Sequence, residues 1–204
     1  MELQSRDQLI IEFLSEYKIA TIKAINSIFF SSNTSSEACR RRLQKLTQVG
    51  YVQMYKDGFG REHLFRIDGR EAREVEDKRL AIVRFVAMLV DNGFTLSCDE
   101  ISPKVGGITY DWGATIERNG ISTYVFVIAN IMKPYPSKKI AQSLSQHNLE
   151  YKAFTAERCP VARSTFVSLS NMPAMNLEGF SPTTIDTNFK NTHRFFKKFK
   201  GPTK

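Results

Sequence analysis

Three stretches of helical hydrophobic period and then two strand-like runs, all between Ser5 and Ile67, constrain this chain more than any other feature. Ser5 and Gln8 stand at the spacing of a capping box, and Leu9, Ile10, Phe13, Leu14 and Tyr17 behind them recur on one helical face. Thr21 is placed to cap a second helix whose stripe is Ile22, Ile25, Ile28 and Phe29. Ser31-Ser32-Asn33-Thr34 reads as a turn, and Thr34 with Glu37 repeats the capping-box spacing at the start of a third helix. Cys39, Leu43 and Leu46 form the inward face of that helix, and Gly50 is its left-handed end cap. Tyr51–Lys56 and Arg61–Ile67 then read as two strands. Between them Asp57-Gly58-Phe59-Gly60 supplies the glycines of a tight hairpin.

Helix, helix, helix, hairpin is the plan of a winged helix-turn-helix domain, expected over residues 1–70. On the third helix Glu37, Arg41, Gln44 and Gln48 lie opposite the Cys39, Leu43 and Leu46 face, flanked by Arg40 and Lys45. A helix that enters the major groove needs long polar side chains there, because Arg bonds guanine with two hydrogen bonds and Gln does the same for adenine. Ser35 and Ser36 at the helix start can donate to phosphate. Lys56 and Arg61 flank the wing tip, where a cation reaches the backbone or the minor groove. The predicted DNA-binding set is therefore Ser35, Ser36, Arg40, Arg41, Gln44, Lys45, Lys56 and Arg61, with double-stranded DNA as partner. A solvated charged face and a protein-docking module are the competing readings of the same residues. Arg42 falls on a shoulder of the wheel, and Cys39 reads as a small core residue, not a reactive thiol. Homodimerisation is expected from the pairing of such domains on symmetric sites.

Charge supports a polyanionic partner. The formal net charge is +8, and it is carried by the ends, with +3 over residues 1–70, zero over 71–160 and +5 over 161–204. Cys39, Cys98 and Cys159 are widely spaced without a CxxC, which suits reduced thiols and speaks against a metal site. The longest apolar stretch, Leu80–Val90, is interrupted by Arg84 and too short to span a bilayer. The polar start MELQSRDQ does not have the pattern of a secretory signal, so a cytoplasmic protein without a membrane partner is expected.

Residues 71–175 read as an α/β domain and 176–204 as a basic aromatic tail. Residues 71–92 form a long helix stopped by Gly93, with a charged first half able to link two domains and an apolar second half. Strands are predicted at Phe94–Cys98, Ile108–Glu117, Ile121–Ala129, Tyr151–Ala156 and Ser164–Leu169, with a helix over Ser137–Leu149 and a hairpin turn at Arg118-Asn119-Gly120. The fold class is thus α+β, a winged helix-turn-helix domain followed by a small α/β domain of restriction-endonuclease-like order. Active domains of that order hold a divalent metal between an Asp on the second strand and a Glu/Asp-x-Lys on the third. Asp111 sits at the first position, but Tyr124–Asn130 carries no carboxylate, Asn130 is a poor anionic ligand, and Glu117 lies at the hairpin end. No catalytic residue, metal or cofactor is therefore assigned, and Asp111 is read as a hydrogen-bonded strand residue.

Four stretches, Gln8–Phe30, Thr34–Tyr55, Leu80–Gly93 and Tyr110–Ala129, together resemble the plasmid replication-relaxation protein family of plasmids, phages and conjugative elements. That family's third strand reads as hydrophobics around Glu-x-Asp, where this chain has Val127-Ile128-Ala129-Asn130. The resemblance implies a DNA-binding regulator or accessory factor for replication or transfer of a mobile element. An adaptor recruiting a replication or transfer protein through the α/β domain is the alternative, and a metal-dependent nuclease is the third reading. For the tail, three roles remain open. Lys190–Lys204 can grip phosphate with Phe stacking on bases, it can contact an anionic membrane, or Phe195, Phe196 and Phe199 can pack on protein.

Overall fold

The computed structural model describes residues 3–30, 36–56, 62–69, 71–131, 133–161, 163–172, 174, 176–177 and 180–200. The chain divides into two compact units, Met1–Gly93 and Phe94–Lys204, and it is an α+β protein. The division falls after the long helix, not before it at residue 70 as the sequence reading had it.

The first unit runs α1 (Ser5–Tyr17), β1 (Ala20–Thr21), α2 (Ile22–Phe29), α3 (Ser36–Gln48), β2 (Gln53–Lys56), β3 (His63–Arg66) and α4 (Arg73–Asp91). Ile10, Leu14, Ile25, Leu43 and Leu46, all at 0% exposure, make its core, whereas Leu9, predicted on the inward stripe of α1, is 52% exposed. Helix α1 begins one residue earlier in its capping logic than Ser5 and Gln8 suggest. The Gln4 N–H donates to Asp7 Oδ2 at 2.7 Å, so the box is Gln4 with Asp7. Thr21 caps α2 as expected, its Oγ1 accepting from the Ala24 N–H at 3.1 Å. The turn at 31–35 lies outside the described residues, as does the predicted Thr34 cap of α3. The three strands form one antiparallel sheet in the order β1-β3-β2, with Ala20 opposite Phe65 and Tyr55 opposite Leu64. Helix α4 packs along α2, where Ser27 Oγ donates to Asp91 at 3.0 Å. Its first half is held by Glu76, which pairs with the buried Arg66 of β3 at 2.9 Å, and Arg66 in turn lies 3.6 Å over the Tyr55 ring. Those ties explain why α4 belongs to this unit.

The second unit has β4 (Thr95–Ile101), β5 (Lys104–Val105), β6 (Ile108–Thr109), β7 (Trp112–Arg118), β8 (Ile121–Ala129), α5 (Ser137–Gln146), α6 (Asn148–Arg158), β9 (Ser164–Leu169), β10 (Thr183–Ile185) and α7 (His193–Lys197). Its main sheet has the order β10-β9-β8-β7-β4, antiparallel from β4 to β8 and parallel from β8 to β10. β5 and β6 pair as a separate small hairpin. β8 is buried from Thr123 to Ala129, the continuous apolar run that a central strand with a parallel neighbour requires. The turn from Arg118 to Ile121 has Asn119 at φ +54° and Gly120 at φ +73°, the geometry that a two-residue hairpin favours.

Three predicted elements are corrected here. Ile108–Glu117 is not one strand, because the chain bends at Tyr110-Asp111 between β6 and β7. Tyr151–Ala156 is helical, within α6, where Tyr151 and Thr155 at i and i+4 face inward. Within the predicted tail 176–204, the described residues 180–200 are no separate tail. They add β10 to the sheet beside β9 and α7 beyond it, and Phe195 and Phe199 are buried at 0% and 2% exposure. Their rings close around Phe94 at 6.1 and 4.9 Å, and Asn119 Nδ2 donates to the Phe199 carbonyl at 3.1 Å. The packing role is therefore the one these aromatics take.

Gly113 on β7 marks a close approach. A Cβ there would run into the hydroxyl of Tyr124, itself fully buried on β8. Gly113→Ala is expected to destabilise by about 1–3 kcal/mol, the usual cost of overpacking. Urea denaturation followed by Trp112 fluorescence measures it, since the chain has a single Trp and it lies at 0% exposure in this unit. A change within about 0.5 kcal/mol, ordinary for a surface site, would show that the ring moves aside freely.

Candidate nucleic-acid interface

Two kinds of contact orient helix α3. Cys39, Leu43 and Leu46 are at 0% exposure on its inner face, and Cys39 Sγ donates to the Ile22 carbonyl of α2 at 3.9 Å. Burial pushes the Cys39 thiol up to about 12, which leaves it a neutral core group. The helix stops at Gly50, whose φ of +87° lets the Tyr51 N–H reach back to the Leu46 carbonyl at 3.0 Å. The second contact is Arg42, which lays its guanidinium fork on both oxygens of Asp7 in α1. Asp7 is at 0% exposure, and the Arg42 hydrogen bonds hold its carboxyl below the usual carboxylate range. Arg42 is thus the structural member of the Arg40-Arg41-Arg42 run.

The opposite face is open. Ser36, Glu37, Arg40, Arg41, Gln44, Lys45 and Gln48 are all exposed. Only Glu37 is acidic, and its Oε1 stands 3.7 Å from Arg41 Nε with both side chains more than half exposed, at 52% and 71%. An exposed pair of this kind is worth about 0.2–1 kcal/mol, so it does not prevent Arg41 from taking a phosphate or base partner. Arg40, Arg41, Gln44 and Lys45 therefore share one solvent-facing surface of a rigidly seated helix.

Lys56 is exposed on a separate element, the last residue of edge strand β2 opposite His63. Ser35, Arg61 and the hairpin tip 57–60 lie outside the described residues. One cation escaped the sequence reading. Arg6 is exposed and its guanidinium lies 4.7 Å from the centroid of the Phe30 ring, at the end of α2 that leads to α3. The neighbouring Asp7 is engaged by Arg42.

No family model, curated protein or solved structure matches this chain significantly.

In the second unit Asp111 sits in the bend before β7, not within a strand. Its Oδ2 accepts the Ala129 N–H at 2.8 Å and its own N–H donates to the Val127 carbonyl at 2.9 Å, so it ties the bend to the end of β8. Asn130, just past β8, donates to the Pro134 carbonyl at 3.4 Å. Glu117 is exposed near the β7–β8 turn, opposite Ser122. Among the described residues no group of three His, Cys, Asp or Glu could hold a metal ion, and no helix is long and apolar enough to cross a membrane.

Proposed function

We propose that the first unit is a winged helix-turn-helix module that binds double-stranded DNA through α3, and that the second is a non-catalytic α/β domain of nuclease-like order. The observation that carries this reading is the exposed face of Arg40, Arg41, Gln44 and Lys45 on a helix seated by Cys39, Leu43, Leu46 and Arg42. The order α1-β1-α2-α3-β2-β3 with a β1-β3-β2 sheet supports it, because a third helix seated against the second by its apolar face leaves its outer face free for the major groove. Lys56 at the hairpin adds a phosphate contact. The net charge of +8 favours a polyanion. The chain then acts as a regulator or accessory factor for replication or transfer of a mobile element, the role that the replication-relaxation resemblance implies, and binds as a homodimer in the cytoplasm.

Base readers and phosphate contacts give different signatures. Arg41→Ala and Gln44→Ala are expected to weaken binding to a preferred duplex by about 1–3 kcal/mol each while leaving random duplex nearly unaffected. Lys45→Ala is expected to weaken both alike and to lower the salt slope by about one. Fluorescence anisotropy on a selected and a scrambled duplex separates these outcomes. Equal losses on both duplexes for all three variants would remove base reading from α3.

A further inference from the structure

A cavity of about 740 Å³ opens beside edge strand β10 in the second unit. Small-molecule sites span about 300–1,000 Å³, so the space exceeds what a bare ion needs. Several side-chain acceptors of its lining are already engaged within the fold. Asn171 Oδ1 accepts from the N–H and hydroxyl of Thr187 at 3.2 and 2.8 Å, which leaves its NH2 group as what it can offer. Asn176 Oδ1 is engaged by a serine hydroxyl at 3.1 Å, with the same consequence. Asp186, the one carboxylate among the lining residues described, has its Oδ1 committed to the N–H groups of Asn188 and Lys190 at 2.9 and 3.2 Å. Against it stand Arg194, which is exposed, and Lys198, whose ammonium donates to Thr183 Oγ1 at 2.9 Å. Neither forms an ion pair among the described residues. A planar guanidinium fork, an ammonium and amide donors around one cleft match the oxygens of a phosphate group.

We propose that this cleft binds a phosphorylated small molecule of nucleoside-monophosphate or sugar-phosphate size, with Arg194 and Lys198 on the phosphate. The site stands apart from the DNA-binding reading of the first unit and does not rest on it. The test is calorimetric titration of the full chain with AMP, ribose 5-phosphate, inorganic phosphate and, as the uncharged control, adenosine, in about 150 mM salt to screen non-specific attraction. AMP or ribose 5-phosphate is expected to bind and adenosine not, and Arg194→Gln and Lys198→Met are each expected to weaken binding about tenfold or more. Because Arg194 is exposed, Arg194→Gln is expected to keep the wild-type unfolding midpoint, which separates a lost contact from a lost fold. The proposal fails if neither AMP nor ribose 5-phosphate binds, or if both variants bind them as the wild type does. It also fails if the two variants weaken only duplex DNA, since the cleft would then belong to a nucleic-acid surface.

Discussion

Arg42→Ala is expected to destabilise the first unit by about 3–5 kcal/mol, far more than loss of a surface arginine, because it strands a buried carboxylate. Asp7 is at 0% exposure and Arg42 reaches both of its oxygens. Once the guanidinium is gone, the Gln4 N–H remains as the hydrogen-bond donor to Asp7 among the described residues, with the Arg6 charge nearby. The pH dependence has a definite sign. Arg42 holds the Asp7 carboxyl below its ordinary value near 3.9, so the pair's contribution is fully present above that pH and fades as pH falls through the lowered folded-state value. In the variant the lowering by Arg42 is absent, so this carboxyl loses less stability over the same pH range. The stability gap between wild type and variant therefore narrows below about pH 4. Urea melts by far-UV circular dichroism at pH 7 and pH 3.5 measure both effects. Asp7→Asn combined with Arg42→Met should recover much of the loss, since neither partner is then left charged and alone. A loss under about 1 kcal/mol for Arg42→Ala, the level of an exposed pair, would mean that Asp7 is solvated and that Arg42 is free to serve as a contact.

Phe195→Ala is expected to cost the second unit about 3–5 kcal/mol, the range for emptying a fully buried phenylalanine site. Phe195 is at 0% exposure with ring centroids 6.1 Å from Phe94 and 5.3 Å from Phe199. An arm that gripped phosphate would show the opposite pattern, with no effect on stability and a loss of salt-dependent binding. The Trp112 fluorescence transition reads the stability change in this unit, and a midpoint unmoved by the substitution would return residues 190–200 to the role of a free arm.

What could be read in the sequence was what single side chains or a clear period dictate. Thr21 and Gly50 mark the ends of their helices because only a short hydroxyl side chain and a residue tolerant of positive φ fit there. Ser164–Leu169 follows from its Thr, Phe and Val content and the Asn119-Gly120 turn from turn chemistry. The two faces of α3 separate cleanly because Cys39, Leu43 and Leu46 recur at helical spacing. Other elements depend on partners distant in sequence. β1 is two residues long and exists because β3 pairs with it, so no local period announces it. α6 was hidden by a break at His147, where φ −119° and ψ 29° separate it from α5, and its short apolar run imitates alternation. β10 and α7 are ordered by β9, Phe94 and Asn119, none of which is near them in the chain. For the site, residue type and helix face were legible for Arg40, Arg41, Gln44 and Lys45. The roles of Arg42 and Arg6 were not, because Asp7 and Phe30, which decide them, are contacts made across the fold.

The central claim, sequence-specific DNA binding through α3, is tested most directly by selecting bound duplexes from a random pool with the full chain at about 150 mM salt, where non-specific phosphate binding is weak. The account predicts enrichment of a defined motif, two-fold symmetric for a homodimer, and its loss when Arg41→Ala and Gln44→Ala are combined. A pool that stays random after repeated rounds, or a motif that survives the double variant unchanged, would contradict it.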